Sequence, residues 1–155
     1  GLMSHGTIEP NELELEIRDL VLALPVEHYK QGIDRPAWAE TDTAGVLEVD
    51  NAAASHLKFR VFVSGVAAGR SHGSDSVFVT SRLVVEFLFR LRSGREVSDG
   101  RDAWNAARDV RRAVMSNPDQ RFAVVLVDAG RAYGDEDGEV RLFQISFDVS
   151  HEIEV

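Results

Sequence analysis

The most regular hydrophobic pattern in the chain runs from Val77 to Arg92, where side chains of two kinds alternate with a period of two. One side of this segment is apolar apart from Ser81, and the other side mixes apolar with charged residues. Such alternation is typical of a β-strand with one face on a hydrophobic core. We therefore predict a long central strand whose second face is partly covered or contacts another subunit.

Three further segments alternate in the same way and predict strands at 57–63, 121–129 and 139–155. The connection 64–76, between the first of these and the long strand, holds three glycines and four serines. It has little apolar surface to offset the entropy that ordering would remove. We therefore predict that residues 64–76 are the mobile tip of a long hairpin.

Residues 11–24 have the apolar stripe of an amphipathic helix. Asn11 followed by Glu14 has the form of a capping box, so the pattern predicts a helix that begins at this point. Pro25 ends the helix, because a proline cannot donate the next backbone hydrogen bond.

A second helix is predicted at 101–116, after a polar turn. The residues expected to be buried at helical spacing are Trp104, Ala107, Val110 and Val114. The region 26–56 keeps no sustained period, so it predicts loops with one short strand at most. Within it, Trp38 is expected to anchor the chain on the core; the alternative is that it contacts a partner.

Together these elements predict an α+β fold, in which a mainly antiparallel sheet with long β-hairpin strands carries two helices packed on one face. A chain of 155 residues with 44% apolar residues is predicted to be a single domain, 1–155. Residues 1–10 are predicted to be a flexible leader. Gly1 and Leu2 precede Met3 and look like a cloning remnant.

The net charge of −9 argues against nucleic-acid binding, which depends on Lys and Arg that neutralise phosphates. The charge is unevenly distributed: residues 1–56 hold 3 basic and 11 acidic side chains, 57–120 hold 11 and 7, and 121–155 hold 3 and 8. A basic middle between acidic ends would suit head-to-tail contact between copies, although solvated charge explains it as well. No apolar run reaches the length of a membrane helix, so no membrane partner is predicted.

The sequence shows no motif of a catalytic or metal site. Cysteine is absent, and the five histidines are dispersed without metal-binding spacing. We therefore predict no enzyme activity, no cofactor and no metal. Glu86 is the most unusual acid, because it lies inside the long strand; it is either a base with a raised pKa or the partner of Arg82, Arg90 or a neighbouring strand. We favour the ion pair.

The chain resembles the tail-terminator and tail-completion (minor tail) proteins of long-tailed bacteriophages. The similarity lies in a long strand VTSRLVVEFLFRLR, an Ala- and Arg-rich helix DAWNAARDVRRAVMS, a strand RFAVVLVD and a closing strand RLFQISFDVSHEIEV. The N-terminal helix followed by irregular chain is also similar. The chain departs from shorter family members at 26–56 and at the hairpin tip.

The resemblance implies a structural protein of a phage or prophage without substrate or cofactor. Such proteins form a ring, commonly a hexamer, that caps the tail tube and joins the tail to the head. The implied partners are further copies of the chain, the tail tube protein and a head-completion or neck protein. The implied location is the host cytoplasm during assembly and then the head-proximal end of the tail in the virion.

The charge distribution suggests where copies would meet. Acidic surface from 9–50 or 135–139 of one copy is expected to face arginines of the 82–112 region on the next copy. The residues that we expect at this subunit interface are Arg82, Glu86, Arg90, Arg92, Arg108 and Arg111.

Two alternatives stay open at this point. One is a head-closure or other neck connector protein from the same region of the virion. The other is a small α+β enzyme or ligand-binding domain, with Glu86 or His151 as its acid–base group.

Overall fold

A computed structural model of the chain describes residues 6–29, 31–33, 38–41, 52–72, 75–134 and 139–155. The helices are α1 (Pro10–Leu22), α2 (Ala52–Ser55) and α3 (Glu96–Met115), with a short 3-10 turn at Glu27–Tyr29. The strands are β1 (Ala39–Glu40), β2 (Lys58–His72), β3 (Ser76–Arg90), β4 (Phe122–Tyr133) and β5 (Val140–Glu154). The predicted α+β class is confirmed.

The described strands form one sheet in the order β1-β2-β3-β5-β4. All neighbours are antiparallel except the short β1, which runs parallel to β2. The long strand β3 pairs along its whole length with β5, from Ser76 opposite Glu154 to Arg90 opposite Val140. The last strand of the chain therefore lies inside the sheet, between β3 and β4.

The core lies between one face of the sheet and the two long helices. β3 and β5 contribute alternate residues to it, which are buried as the period-two pattern predicts; among them are Leu83, Val85, Phe87, Phe143, Ile145 and Phe147. α1 covers this face over β2, while α3 covers it over β4 and β5. Trp38 is 3% exposed and packs edge-on against Phe59 and Phe87, so its predicted anchoring role is confirmed.

The start of α1 differs from the prediction. The helix begins at Pro10, and its N-cap is Glu9 instead of Asn11. The Glu12 carboxylate accepts a hydrogen bond from the Glu9 backbone N–H at 3.1 Å. At the first position of a helix the backbone N–H has no partner within the helix, whichever residue lies there. Proline, which has no N–H, therefore loses no hydrogen bond at this position and is favoured there. The helix ends at Leu22, shortly before Pro25.

The predicted burial of Trp104 is wrong. Its side chain is 46% exposed, and the stripe of α3 that faces the sheet runs through small residues instead: Ala103, Ala106, Ala107, Val110 and Val114. The alanines allow the helix backbone to approach the sheet closely. Trp104 lies beside this contact and meets the Phe143 ring edge-on at 5.1 Å. The helix also begins at Glu96, earlier than the predicted residue 101.

The first long strand is also longer than predicted. Residues 64–72, which the composition assigns to a loop, continue β2, and they pair with β3 as far as His72 opposite Ser76. Register shifts at Val63/Gly65 and Ala68/Ser71 interrupt the ladder, and such irregularities erase the alternation on which strand prediction depends. Residues 73–74 lie outside the described residues. The mobility of the segment stays a prediction.

The predicted flexible leader is wrong for the residues next to α1. Ile8 is fully buried, and its backbone N–H donates to the Glu152 carbonyl at 2.9 Å. Residues 1–5 lie outside the described part of the chain. Of the helices that the structure describes, none combines the length and the apolar character needed to cross a membrane.

Candidate assembly surfaces

The face of the sheet opposite α1 and α3 holds a network of polar side chains around Glu86. The Arg60 Nε donates to a Glu86 oxygen at 2.5 Å, and the Gln144 amide donates to the other oxygen at 2.8 Å. These three residues lie opposite one another on β2, β3 and β5. Glu86 is buried and both of its oxygens have donors, so it is held as an ion pair by a neighbouring strand, as we favoured.

Arg82 lies on the same face as Glu86 but forms a separate pair. Its Nε donates to an Asp148 oxygen at 2.7 Å across the β3–β5 ladder, and both side chains are partly exposed. Arg90, further along β3, is half-buried and uses its backbone to hold two other residues, His56 and Gln31. Three of the six predicted interface residues therefore lie on the open sheet face, where two of them are already paired within the chain.

Arg92 connects the end of β3 to the first turn of α3. Its guanidinium and backbone N–H donate to both oxygens of Asp99 at 2.7 to 3.0 Å. Burial alone would raise the pKa of Asp99, but the hydrogen bonds and charge of Arg92 outweigh this effect and lower the pKa. Because the Asp99 side chain is fully buried, this pair is an internal structural contact.

The last two predicted interface residues lie on α3, on the opposite side of the sheet. Arg111 donates to the Ala129 carbonyl of β4 at 2.8 Å, which fixes the helix to the sheet. Arg108 is exposed and borders an open groove beside Tyr29, His28 and Arg112. The six residues are thus divided between two faces and do not form one site.

His151, named for the enzyme alternative, is buried between Ser81 and the N-terminal segment. Its Nδ1 lies 2.8 Å from the Ile8 carbonyl oxygen, which can only accept, so Nδ1 carries the proton. Its Nε2 then accepts from the Ser81 hydroxyl at 2.6 Å. Burial lowers the pKa of this imidazole, which stays neutral. With both ring nitrogens bound and only 2% of the residue exposed, His151 has a structural role here.

His56 is held in the same way in the other tautomer. Its Nε2 donates to the Tyr29 carbonyl at 2.7 Å, and its Nδ1 accepts from the Arg90 backbone N–H at 3.0 Å. Burial lowers the pKa of this side chain as well. The sequence named His151 only as an acid–base candidate and did not single out His56; the structural role of each could not be predicted, because their hydrogen-bond partners lie far away along the chain.

Among the described residues, the outer sides of β2 and β4 have few strand partners, although the Val63 N–H of β2 donates to the Glu14 carboxylate at 3.0 Å and the Ala129 carbonyl of β4 accepts from Arg111 at 2.8 Å. On its outer side β2 pairs with β1 only at Lys58 and Phe59, within the described residues. On the other edge, β4 pairs with β5 alone and exposes apolar side chains, among them Val125 at 62% and Val127 at 44%. Unpaired strand edges can bind a further strand through backbone hydrogen bonds.

Groups of three or more potential metal ligands do not occur among the residues described by the structure. No protein-family model matches the chain, and no curated protein matches it either. A solved structure from Akkermansia muciniphila, described as being without its transmembrane region, is similar over 97% of this chain and 90% of its own. The sequence identity is 13% and the TM-score is 0.38, values that support no inference about family or function.

Proposed function

We propose that the chain is a structural subunit of a phage or prophage tail, which assembles into a homo-oligomeric ring that terminates the tail tube and joins the tail to the head. The observation that carries this proposal is that, among the described residues, β2 pairs on its outer side with β1 only at Lys58 and Phe59, and β4 at the other edge pairs with β5 alone. A head-to-tail contact needs two different surfaces on one subunit, and it closes into a ring when the rotation between subunits allows it. Pairing of β2 with β4 of the next subunit meets that requirement.

The condition of the acid–base candidates also favours a structural role. Glu86 is bound by Arg60 and Gln144, and both nitrogens of His151 are bound inside the core. Neither side chain has a free polar atom directed into a cavity. The enzyme hypothesis named these two residues, and each of them stabilises the fold instead.

The test is the size and shape of the purified protein in solution. We expect light scattering coupled to gel filtration to give one multiple of the 17.1 kDa chain, and negative-stain images to show rings with a central opening. The resemblance to tail terminators leads us to expect six subunits in each ring. A protein that shows only monomers or dimers in images at low and high concentration would contradict the ring.

A further inference from the structure

The outer face of α1 carries a regular acidic and apolar stripe. Glu12, Leu15, Asp19 and Leu22 follow one another at spacings of three and four residues, so they lie on one side of the helix. All four are exposed, although two are large leucines. The opposite side of α1 faces the sheet through Leu13, Ile17 and Val21. The acidic stripe therefore points away from the molecule.

The outer face of α3 carries a complementary basic and apolar stripe. Its apolar members are Val97, Trp104 and Met115, which are 70%, 46% and 46% exposed. Between them lie the exposed arginines of the stripe, Arg101, Arg108 and Arg112. In the part of the chain that the structure describes, none of these three arginines forms an ion pair. By contrast, Arg60, Arg92 and Arg121 are paired internally.

The two stripes lie on the same outer surface of the molecule. α1 and α3 contact each other and cover the same face of the sheet, so their exposed sides both point away from it. We propose that this outer helical surface binds a second copy of the chain, with the acidic stripe of α1 in each copy lying against the basic stripe of α3 in the other.

The arrangement of the helices makes a two-fold contact possible. In such a contact the same surface is used by both copies, so the pairing of α1 with α3 occurs twice. The lengths fit, because α1 with 13 residues is about 20 Å long and α3 with 20 residues is about 30 Å long. Each pairing brings leucines of α1 to Trp104 and its apolar neighbours. It also brings Glu12 and Asp19, of which Asp19 already pairs with Arg18, to arginines that form no ion pair among the described residues.

This dimer does not depend on the proposed ring. The ring uses the strand edges at the sides of the sheet, whereas the dimer uses the outer surface of the helices. A protein that dimerises without forming rings would support the dimer alone, and rings that survive loss of the helical contact would support the ring alone.

The experiment uses charge reversal with rescue. One variant carries Arg108→Glu and Arg112→Glu, and the other carries Glu12→Arg and Asp19→Arg. The control, Arg95→Glu with Arg131→Glu, makes the same change in net charge as the α3 variant at exposed sites outside the α3 stripe; Arg131 pairs with Asp128 within its own chain, so the thermal melt of the control also reports the loss of that pair. Thermal melts check that every variant is folded, and sedimentation equilibrium measures the dissociation constant of each variant alone and of the two stripe variants mixed.

The wild type and the control are expected to associate through the helical surface with similar affinity, whether the associating units are single chains or rings. Each stripe variant alone is expected to dimerise at least about tenfold more weakly, because several attractive pairs become repulsive. An equal mixture should recover the wild-type affinity, since acidic α3 then meets basic α1. Burial of Trp104 in the dimer should also shift its fluorescence to shorter wavelength. A monomeric wild type, unchanged affinity in the stripe variants, or no recovery in the mixture of folded variants would each overturn the proposal.

Discussion

The two tryptophans occupy opposite environments, although each was expected to be buried. Trp38 lies among aromatic rings of β2 and β3 and is 3% exposed. Trp104 rests on the surface, with one side against Phe143 and the backbone of Gly130. The helical period correctly placed Ala107, Val110 and Val114 on the buried face but could not show where that face ends, so the largest apolar side chain was assigned to it.

These environments predict different costs of truncation. Trp38→Ala removes a large ring from the core and is expected to lower the free energy of unfolding by about 3 to 5 kcal/mol. Trp104→Ala removes a half-exposed ring, and it is expected to cost about 1 to 2 kcal/mol, well below the value for a core site. Urea unfolding of both variants checks this order. Equal losses would place Trp104 in the core after all.

Because two histidines are buried, we expect the folded protein to become less stable as the pH falls. Burial lowers the pKa of His56 and His151 below the value of about 6.5 in an unfolded chain. As the pH falls through about 6.5, the unfolded chain binds protons that the folded chain resists, so the free energy of unfolding decreases. The two histidines contribute fully to the free energy of unfolding above about pH 6.5. This contribution is lost as the pH falls from there towards the lower pKa values that they have in the folded state.

Urea unfolding measured from about pH 7.5 to pH 5 checks this dependence. His56→Gln and His151→Gln should each be less stable at neutral pH because of lost hydrogen bonds, but each should show a flatter pH dependence in this range. His28→Gln is the control, since that side chain is exposed. If the three variants keep the slope of the wild type, other groups cause the acid sensitivity.

At the scale of elements, the strands with two neighbours were predicted best. β3 and β5 are each covered on one face and lie between other strands, so alternation between core and open face is preserved in their sequences. The outer half of β2 is not covered by a helix among the described residues. It consists mainly of glycine, alanine and serine, which do not alternate between apolar and polar side chains. The ion pairs of the expected interface residues could not be predicted from the sequence either. Glu86 binds Arg60 and Arg82 binds Asp148, and each partner lies far away along the chain.

Two glycines in β2 make a matched test of the outer hairpin. A Cβ at Gly69 would lie 2.6 Å from the Phe78 carbonyl oxygen, whereas a Cβ at Gly65 would meet nothing within 4 Å. Gly69→Ala is therefore expected to cost about 1 to 3 kcal/mol, because a backbone atom must move. Gly65→Ala should stay within about 0.5 kcal/mol of the wild type.

Hydrogen exchange locates the effect of these substitutions. Gly69→Ala should speed exchange in the β2–β3 pairs beyond Gly65 and leave β5 unchanged. The wild-type rates in the same experiment show whether 64–72 is protected or mobile, which tests the original prediction. Faster exchange throughout the sheet would mean that the outer hairpin is required for the whole fold.

At the scale of the whole molecule, the open edge of β4 predicts how the ring can be blocked. Val125→Lys together with Val127→Lys places two charges on this exposed edge, where natural proteins use lysine to prevent strand pairing. The double variant is expected to lose rings in negative-stain images while its thermal melt stays close to that of the wild type. Val155→Lys, at an exposed position after β5, is the control. Intact rings in the double variant would exclude β4 from the interface.

The position of β5 between β3 and β4 has a consequence for the protein during its synthesis. β3 and β4 leave the ribosome before β5 (Val140–Glu154); β3 can pair with β2 at once, but its other side and the whole of β4 have no neighbour in the sheet until β5 has been translated. The backbone hydrogen bonds of Ile8 with Glu152 and His151 cannot form before β5 has been translated either. Until β5 has emerged, the nascent chain therefore presents one unpaired side of β3 and an unpaired β4, and chaperones and neighbouring nascent chains can bind such exposed strands.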